Sequence, residues 1–407
     1  MGVLYKIKRK IWKFFFEKKN ILFYPYKGIS KVDLLIYDDV FPHPISGFRL
    51  EEFSVLLKRF KKSKILMTPD SYPALKTPKT EHQNHINELI VLFPFLKKKM
   101  KFRKSYININ AKLFYCVFIQ NIFPNLWWLE KYKIPFAFTL YPGGGFQIDD
   151  LTSDMKLKEV FSSTQFRKVI VTQLYTKEYL INNNFCPNDK IEYVFGCVVP
   201  QNSKVNSNKE KNLFLKGKDT LDICFCAAKY MDKGLDKGYD LFIEAAISIA
   251  NKYDFVRFHV IGGFDKSEID VTVLKDKITF YGYQNFQNLA VIFKNTDIIV
   301  SPNRPFCLGK GFDGFPLGTV IEAAFNGAVA LVTDKLNQNS FFVNNEEIVI
   351  IESTAESIVK EIEKLIDNPE KLYFLSRKGR EKFIEIYSND FQMKPRIELL
   401  DKIINTK

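Results

Sequence analysis

Two runs of alternating strand-like and helix-like segments constrain the fold of this chain more than any other feature. Short apolar segments alternate with segments of helical periodicity, such as residues 50–60. Strands that alternate with helices indicate parallel sheets covered by helices on both faces. We therefore predict an α/β protein. The predicted strands are Val32–Tyr37, Lys64–Thr68, Glu88–Phe93, Leu113–Ile119, Phe136–Leu140, Lys168–Gln173, Ile191–Val194, Asp222–Ala227, Arg257–Ile261, Ile278–Tyr281, Asp297–Val300, Ala328–Val332 and Ile348–Ile351.

A polar stretch divides these strands into two groups. Residues 201–220 are rich in Asn, Ser and Lys and predict a linker between domains. A chain of 407 residues is also too long for one ordinary core. We predict two doubly wound, Rossmann-like domains, residues 31–200 and 221–385, with ligands bound beyond the C-terminal ends of the strands.

Residues 312–334 predict a loop, a short helix and a buried strand. Gly314, Pro316 and Gly318 keep the first part irregular. Thr319 precedes Glu322 by three residues, which is the spacing of a capping box at a helix start. Such a helix would end near Gly327 and lead into the strand at residues 328–332.

This stretch also has the chemistry of a ligand site. A glycine-rich loop that leads into a helix N-terminus binds anions, because unpaired N–H groups and the helix dipole converge there. Asp313 and Glu322 add acceptors for sugar hydroxyls. The stretch therefore predicts a site for a nucleotide sugar. The alternatives are that Glu322 only closes the capping box and that Asp313 is an ordinary turn residue.

The sequence Asp-Gly-Phe-Pro-Leu, followed by Glu-Ala and then Gly-Ala-Val-Ala-Leu-Val, resembles the donor loop of family-4 glycosyltransferases of the GT-B fold. The resemblance implies that Asp313 contacts the donor sugar and that Glu322 holds the ribose hydroxyls. This chain departs from the family in having Asp as the first acid and a spacing of nine positions instead of eight. The loop residues that the resemblance places around the diphosphate are Gly314, Phe315, Leu317, Gly318 and Thr319.

A basic segment, residues 229–245, resembles the part of the family that neutralises the diphosphate. Lys229 and Lys237 match the two cations, with a longer spacer than usual. Two cations would stabilise the charge that grows on the departing nucleoside diphosphate. The alternative is a turn with surface lysines, in which Lys233 is equally basic.

Other matches to the family are weaker. The additional donor-side candidates are Gly262, Gly263, Tyr283, Asn303 and Gly47. The candidates on the acceptor side are His43, Arg49 and Gly144. His43 has a structural alternative, and residues 141–147 lack the His that family members often have there. The resemblance also implies a last helix, residues 386–407, that crosses back to the first domain.

The net charge of +14 is unevenly distributed. Residues 1–30 hold eight lysine and arginine residues against Glu17 alone, so half of the excess lies there, among aromatic side chains. Such a segment can bind an anionic membrane surface, or it can be a first helix that packs on the body. The six cysteines show no metal-like or paired spacing, and no apolar run is long enough to span a bilayer. These features predict a cytoplasmic protein at the inner membrane face.

The resemblance therefore predicts a GT-B glycosyltransferase, and it implies that the reaction retains the anomeric configuration. By the resemblance it needs no metal or other cofactor and moves a sugar from a nucleotide-sugar donor to a glycan or lipid-linked acceptor, as in capsule or lipopolysaccharide synthesis. The rival hypotheses are a catalytically silent GT-B subunit and a nucleic-acid binder, and no nucleic-acid motif supports the latter. The Gly-x-Gly-x-x-Gly at residues 309–314 is not tightly joined to a strand and a helix, which argues against an NAD site.

Overall fold

The computed structural model describes residues 30–103, 109–201 and 211–406. The first domain contains a sheet of seven strands in the order β3-β2-β1-β4-β5-β6-β7, all parallel. Its central strands are fully buried because helices cover both faces, and Leu34, Leu35 and Ile36 have no exposed surface. The strands are β1 Ser30–Asp38, β2 Ser63–Met67, β3 Met100–Phe102, β4 Ile109–Val117, β5 Phe136–Leu140, β6 Phe166–Val171 and β7 Ile191–Tyr193.

The second domain repeats this plan with six parallel strands in the order β12-β11-β10-β13-β14-β15. A small pair, β8 Leu213–Phe214 and β9 Gly217–Lys218, precedes it inside the segment predicted as a linker. The main strands are β10 Leu221–Cys226, β11 Val256–Ile261, β12 Ile278–Phe280, β13 Ile298–Ser301, β14 Val329–Val332 and β15 Val349–Ile350. The predicted α/β class with two doubly wound parallel sheets is confirmed.

Helices connect the strands. In the first domain the α-helices are Gly47–Arg59, His82–Leu92, Ile119–Ile122, Leu126–Lys131, Leu151–Phe161 and Leu174–Asn182. In the second domain and the C-terminal region they are Tyr239–Ala250, Phe286–Asn295, Gly318–Phe325, Ala355–Asp367, Pro369–Ile386 and Asn389–Asn405. No helix in the described ranges is long and apolar enough to cross a membrane.

The predicted strand Glu88–Phe93 is wrong, because these residues lie at the end of the helix His82–Leu92. Ile86 and Leu89 are buried three residues apart, which is helical spacing. A short apolar run does not distinguish a strand from a buried helix segment. The edge strand Met100–Phe102 was not predicted, since only Met100 of its three side chains is buried.

The last helix, Asn389–Asn405, packs on the helix Gly47–Arg59 and on β4, so it contacts the first domain. A buried polar network fixes it there. Glu52 accepts hydrogen bonds from the hydroxyls of Tyr115 and Tyr141, and Arg396 donates to the Tyr141 hydroxyl at 3.4 Å. Glu52 and Arg396 are both fully buried, and the Tyr141 hydroxyl links this carboxyl group of the first domain to the arginine of the last helix.

Two predicted features lie wholly or partly outside the described residues. The first is the basic aromatic segment, residues 1–30, of which only Ser30 is described. The other is the predicted linker, of which residues 202–210 are not described.

Candidate active site

A cleft of about 560 Å³ lies between the domains. Its walls come from loops that follow strands: residues 45–49, 71–75, 118–120 and 142–147 of the first domain face residues 228–237 and 304–313 of the second. Ligands of parallel sheets bind at this end of the strands. The structure therefore has a cleft at the end of the strands where the sequence predicts the ligand site.

Three predicted residues meet on the second-domain wall of the cleft. The Lys237 ammonium donates to both carboxylate oxygens of Asp313, at 2.6 and 2.7 Å. The Asn303 side-chain amide donates to Asp313 Oδ2 at 2.6 Å. Lys237 is almost fully buried, whereas the Asp313 side chain keeps 30% of its surface exposed. The carboxylate thus faces the cleft while a buried cation and an amide fix its position.

Further groups surround the Lys237 ammonium. Asp236 Oδ2 lies 3.4 Å away, and burial raises the pKa of this aspartate although Lys237 opposes the shift. The Tyr230 ring centroid is 5.0 Å from the ammonium, a cation–π distance. Burial lowers the pKa of Lys237, but the Asp313 carboxylate outweighs it and the net shift is upward. Lys237 is therefore charged at neutral pH.

Lys229 does not join this group. Its ammonium forms an ion pair with Glu268, and its backbone N–H lies 3.4 Å from the Tyr283 hydroxyl. Its neighbours Ala228 and Tyr230 line the cleft, but Lys229 does not. The structure does not support the expectation that Lys229 faces the diphosphate, because the local backbone turns its side chain toward Glu268.

The predicted donor loop leads into the helix Gly318–Phe325 and touches the opposite domain. A side chain on Gly314 would lie 3.1 Å from the Gln173 amide nitrogen, and that amide is 3.5 Å from the Phe315 carbonyl. Gln173 follows β6 of the first domain and is almost fully buried. Phe315 is buried as well, so little room remains around the loop for a larger residue at position 314.

The predicted capping box is wrong. The helix begins at Gly318 after Leu317, so Thr319 is already inside it, and its hydroxyl donates to the Cys226 carbonyl at 2.8 Å. Glu322 makes no cap contact. Its side chain is buried, and its Oε2 has no hydrogen-bond partner among the described residues. Burial alone raises the pKa of Glu322 from 4.5 to about 8.

Gly47 brings the first domain next to this carboxyl group. A Cβ on Gly47 would lie 3.9 Å from Glu322 Oε1 and 2.8 Å from Pro200 Cγ. Only glycine therefore permits this close approach of the helix Gly47–Arg59. The sequence prediction that Gly47 approaches the donor side from the opposite domain agrees with this placement, and its role in binding stays a prediction.

At pH 8, where the Glu322 carboxyl group is partly ionised, substitution by Gln is expected to weaken donor binding by roughly 10- to 100-fold, because it removes a charged acceptor of about 1.5–3 kcal/mol. The same change is expected to stabilise the protein at alkaline pH. Because the pKa of Glu322 is higher in the folded than in the unfolded protein, the folded protein loses stability as pH rises from about 4.5 to about 8. Glutamine does not titrate, so the melting temperature of the variant should exceed that of the wild type more at pH 8 than at pH 5.

Titration calorimetry with the donor and thermal unfolding at the two pH values check both effects. Glu346→Gln, an exposed substitution in the same domain, is the matched control. Unchanged donor affinity in Glu322→Gln would show that the carboxyl group does not contact the ligand.

The two glycines after β11 have a packing role. A Cβ on Gly262, which has a φ of +126°, would lie 1.9 Å from the Ala227 carbonyl oxygen. A Cβ on Gly263 would lie 2.9 Å from the Tyr283 hydroxyl. Strand-end packing thus accounts for both glycines, and contact with a nucleotide base remains a prediction for Gly263 and Tyr283.

His43 is placed away from the cleft. Its Nδ1 accepts a hydrogen bond from the Ile45 N–H, so Nε2 carries the proton and donates to the Thr77 hydroxyl at 2.9 Å. Burial, with smaller effects of His85 and Arg49, lowers its pKa to about 4. Both ring nitrogens are used and the ring is neutral, which favours the structural alternative for His43.

Arg49 and Gly144 do line the cleft. Arg49 donates to Asp38 Oδ2 at 3.0 Å and lies over the Phe118 ring at 4.8 Å. Burial, partly offset by Arg49, raises the pKa of Asp38 to about 6. Gly144 has a φ of +54°, and a Cβ there would overlap Phe118, at 2.3 Å from its ring. Arg49 is held by Asp38, which limits its freedom to follow a ligand.

Sequence reasoning missed Tyr230, Asp236 and Gln173 as residues of the site. Tyr230 and Asp236 lie inside the basic segment that was singled out for its lysines. Gln173 ends the segment predicted as a strand, which is the position where ligand contacts of parallel sheets concentrate. A rule that examines every polar residue at a strand end would have found it.

In the described ranges no three His, Cys, Asp or Glu side chains are arranged to hold a metal ion. The expectation that the reaction needs no metal stays a prediction. Among the six cysteines, four are buried and Cys307 is exposed, and all six are free thiols.

The chain has two facing Rossmann-like domains, with an acid–lysine pair at the glycine-rich loop. This arrangement is that of the GT-B class of proteins. Residues 230–382 match the family model described as Glycosyl transferases group 1. This match lies in the second domain, which is therefore similar to the group 1 glycosyltransferases, and the resemblance predicted from the sequence is confirmed. Membership of family 4 within this group stays a prediction. No curated protein matches the chain in sequence.

Solved structures support the same fold over nearly the whole chain. A glycosyltransferase from Rickettsia africae ESF-5 is 14% identical with a TM-score of 0.65, and 93% of this chain and 100% of that chain are covered. Anabaena HepE in complex with UDP and glucose is 11% identical with a TM-score of 0.62, over 91% and 100%. Sucrose-phosphate synthase from Thermosynechococcus elongatus is 13% identical with a TM-score of 0.59, over 91% and 99%. The GT-B fold predicted from the sequence is confirmed.

Proposed function

We propose that this protein transfers a sugar from a nucleoside diphosphate sugar to a glycan or lipid-linked acceptor, with retention of anomeric configuration. The observation that carries the proposal is the contact of Lys237, Asp313 and Asn303 at the cleft wall. A cation, a carboxylate and an amide at one point suit a ligand that joins a phosphate to a hydroxyl-rich ring. The complex of HepE with UDP and glucose, in a protein of the same fold, supports this choice.

Each chemical part of such a donor has a matching group in the site. The helix Gly318–Phe325 offers its N-terminal N–H groups and dipole to the diphosphate. The buried carboxyl of Glu322, which has one unpartnered oxygen, suits a pair of ribose hydroxyls. Asp313, partly exposed to the cleft, suits the hydroxyls of the sugar.

Donor binding exchanges the partners of Lys237. Without donor, Asp313 and Asp236 together neutralise the ammonium. A diphosphate oxygen then competes with Asp313 for Lys237, and the freed carboxylate turns to the sugar hydroxyls. As the glycosidic bond breaks, negative charge grows on the phosphate and its attraction to Lys237 increases. Lys237 thereby stabilises the transition state more than the ground state.

The acceptor enters from the first-domain side of the cleft. Ser71, Gln120 and Gln147 line that wall with neutral polar groups suited to glycan hydroxyls. We place the reaction in cell-surface polysaccharide synthesis, capsule or lipopolysaccharide, at the cytoplasmic face of the membrane, and we expect it to need no metal. The support is the basic aromatic segment at residues 1–30.

The alternative function is a catalytically silent GT-B subunit that binds a donor or a partner. The observation that favours it is the mutual neutralisation of Lys237 and Asp313, together with the absence of a His from residues 141–147. A thermal-shift screen of nucleotide sugars tests donor recognition for both hypotheses. A donor at 100 times its Kd should add about 2.7 kcal/mol of stability. No shift with any nucleotide sugar would contradict the transferase and leave only a silent subunit that binds a partner.

Deletion of residues 1–29, which leaves β1 complete, is expected to reduce sedimentation with anionic vesicles while donor hydrolysis continues. High salt should mimic the deletion, because charge attraction is screened within about 8–10 Å. Vesicle sedimentation of the full and shortened chains at two salt concentrations checks this. Insoluble protein after the deletion would show that the segment belongs to the core.

A further inference from the structure

One end of the first-domain sheet is strongly basic. Lys31 lies at the start of β1, Lys61 and Lys62 immediately precede β2, and Lys97 and Lys98 precede β3. All five side chains are exposed, and none of them forms an ion pair with a residue in the described ranges. Since β1, β2 and β3 are parallel neighbours, these starts lie side by side. We call these five lysines the basic edge.

Exposed apolar side chains accompany the basic edge. Val91, Leu92 and Phe95 are 79%, 51% and 36% exposed, in the segment directly before Lys97 and Lys98. Leu96, between them, is fully buried and fixes this segment to the core. Lys99 connects it to the β2 start, since its ammonium donates to the Phe60 and Lys61 carbonyls. Phe95, Lys97 and Lys98 therefore lie in one short segment at this edge, and Val91 and Leu92, just before it, also line a cavity with Pro200 and Phe286.

The second domain has the same architecture and provides an internal comparison for several of these lysines. At the corresponding end of its sheet, Lys218 pairs with Asp222 at 2.6 Å and Lys277 with Asp254 at 2.9 Å. Lys252 pairs with Glu363 at 2.6 Å. Acids thus neutralise these three cations, as Asp33 neutralises Lys112 at 3.0 Å beside β1. The five lysines of the basic edge have no such acid in the described ranges, and what sets them apart is that they lie together on neighbouring strands.

We infer that the basic edge, with Val91, Leu92 and Phe95, docks on an anionic phospholipid surface. Unpaired lysines attract anionic headgroups, and adjacent apolar side chains enter the interface between headgroups and acyl chains. Residues 1–29 join the chain at this same edge, through β1. The inference deepens the proposed membrane-linked function by assigning the contact to a folded surface as well as to the N-terminal segment.

This orientation restricts the acceptor. The cleft lies beyond the C-terminal ends of the strands, while the basic edge lies at their N-terminal ends. At about 3.3 Å per residue, strands such as β1 hold the cleft on the order of 20–30 Å from the headgroups. A sugar attached directly to a lipid does not reach that height, so the acceptor is the growing end of a longer glycan that projects from the bilayer.

The test compares three double variants of the full chain by sedimentation with vesicles of phosphatidylglycerol and phosphatidylcholine, and of phosphatidylcholine alone. Lys97→Glu with Lys98→Glu should weaken binding to the anionic vesicles by roughly 10- to 30-fold. Val91→Ser with Leu92→Ser should weaken it by about fivefold. The control, Lys275→Glu with Lys294→Glu, reverses two exposed lysines of the second domain and should bind like wild type.

Equal binding of the first variant and wild type would overturn the inference, as would an equal loss in the control. The inference would also be overturned if the glutamate variant lost binding while the serine variant bound normally. The surface would then recognise negative charge without entering the bilayer, as expected for a soluble polyanion. Hydrolysis of a nucleotide sugar, measured on the same variants without vesicles, should remain unchanged. Its absence in wild type would contradict the proposed function and leave the membrane inference standing.

Discussion

Replacing Lys237 by alanine is expected to lower the sugar-transfer rate by roughly 100- to 1000-fold while nucleoside binding changes little. The ammonium is nearly buried and touches Asp313, so it is fixed where the diphosphate is expected. Its attraction to the phosphate grows as the glycosidic bond breaks, so its removal affects turnover more than ground-state binding. Steady-state kinetics with one donor, together with nucleoside affinity by calorimetry, separate the two effects.

Lys233→Ala is the matched control for this experiment. Lys233 lies four residues earlier on the same turn, but its side chain is exposed and lines no part of the cleft. Its removal should leave the rate close to that of wild type. A critical Lys233 beside a dispensable Lys237 would show that the match to the family segment is out of register. If neither lysine matters, the diphosphate is held elsewhere.

Replacing Arg396 by alanine is expected to destabilise the protein by about 3–5 kcal/mol, because it leaves the carboxylate of Glu52 buried without an opposite charge. The arginine comes from the last helix and reaches Glu52 through the Tyr141 hydroxyl, so the loss also weakens the contact between domains. Thermal and urea unfolding measure the change. Transfer activity should fall as well, since Tyr141 packs on Phe48, which lines the cleft.

Two further variants make this result specific. Arg377→Ala, in the preceding helix, removes an arginine that is 63% exposed and 4.0 Å from Glu381, and it should change stability by less than about 1 kcal/mol. Glu52→Gln in the Arg396→Ala background should recover much of the loss, because it removes the uncompensated charge. Equal melting temperatures of Arg396→Ala and Arg377→Ala would show that the buried network does not stabilise the domain arrangement.

The repeated pattern of strands and helices was sufficient to predict the fold class, because both sheets are parallel and their buried strands are apolar throughout. The errors fall where this pattern is ambiguous. Residues 88–93 are apolar at an amphipathic helix end, and β3 exposes most of its side chains at the sheet edge. Local patterns do not contain the tertiary contacts that decide such segments.

A site residue could be predicted from the sequence where it belongs to a recognisable motif. Asp313, Asn303 and Lys237 were chosen from separate motifs, and the structure brings them together. Lys229 and His43 show the limit of this reasoning. Nothing in the local sequence reveals that Glu268 pairs with the first or that Thr77 and Ile45 occupy both nitrogens of the second. The Thr319–Glu322 spacing also fits a capping box, yet the helix starts at Gly318, two residues earlier than such a box requires, and Thr319 bonds to a neighbouring strand.

The most direct test of the proposed function is proton NMR of the purified protein with nucleotide sugars and an acceptor glycan, in the presence of EDTA. The proposal predicts that one donor is consumed, that nucleoside diphosphate is released, and that the new glycosidic bond keeps the anomeric configuration of the donor. Lys237→Ala should abolish most of this signal, while Lys233→Ala should not. A donor that binds but is neither transferred nor hydrolysed by the wild-type protein would contradict the proposal and favour the silent subunit.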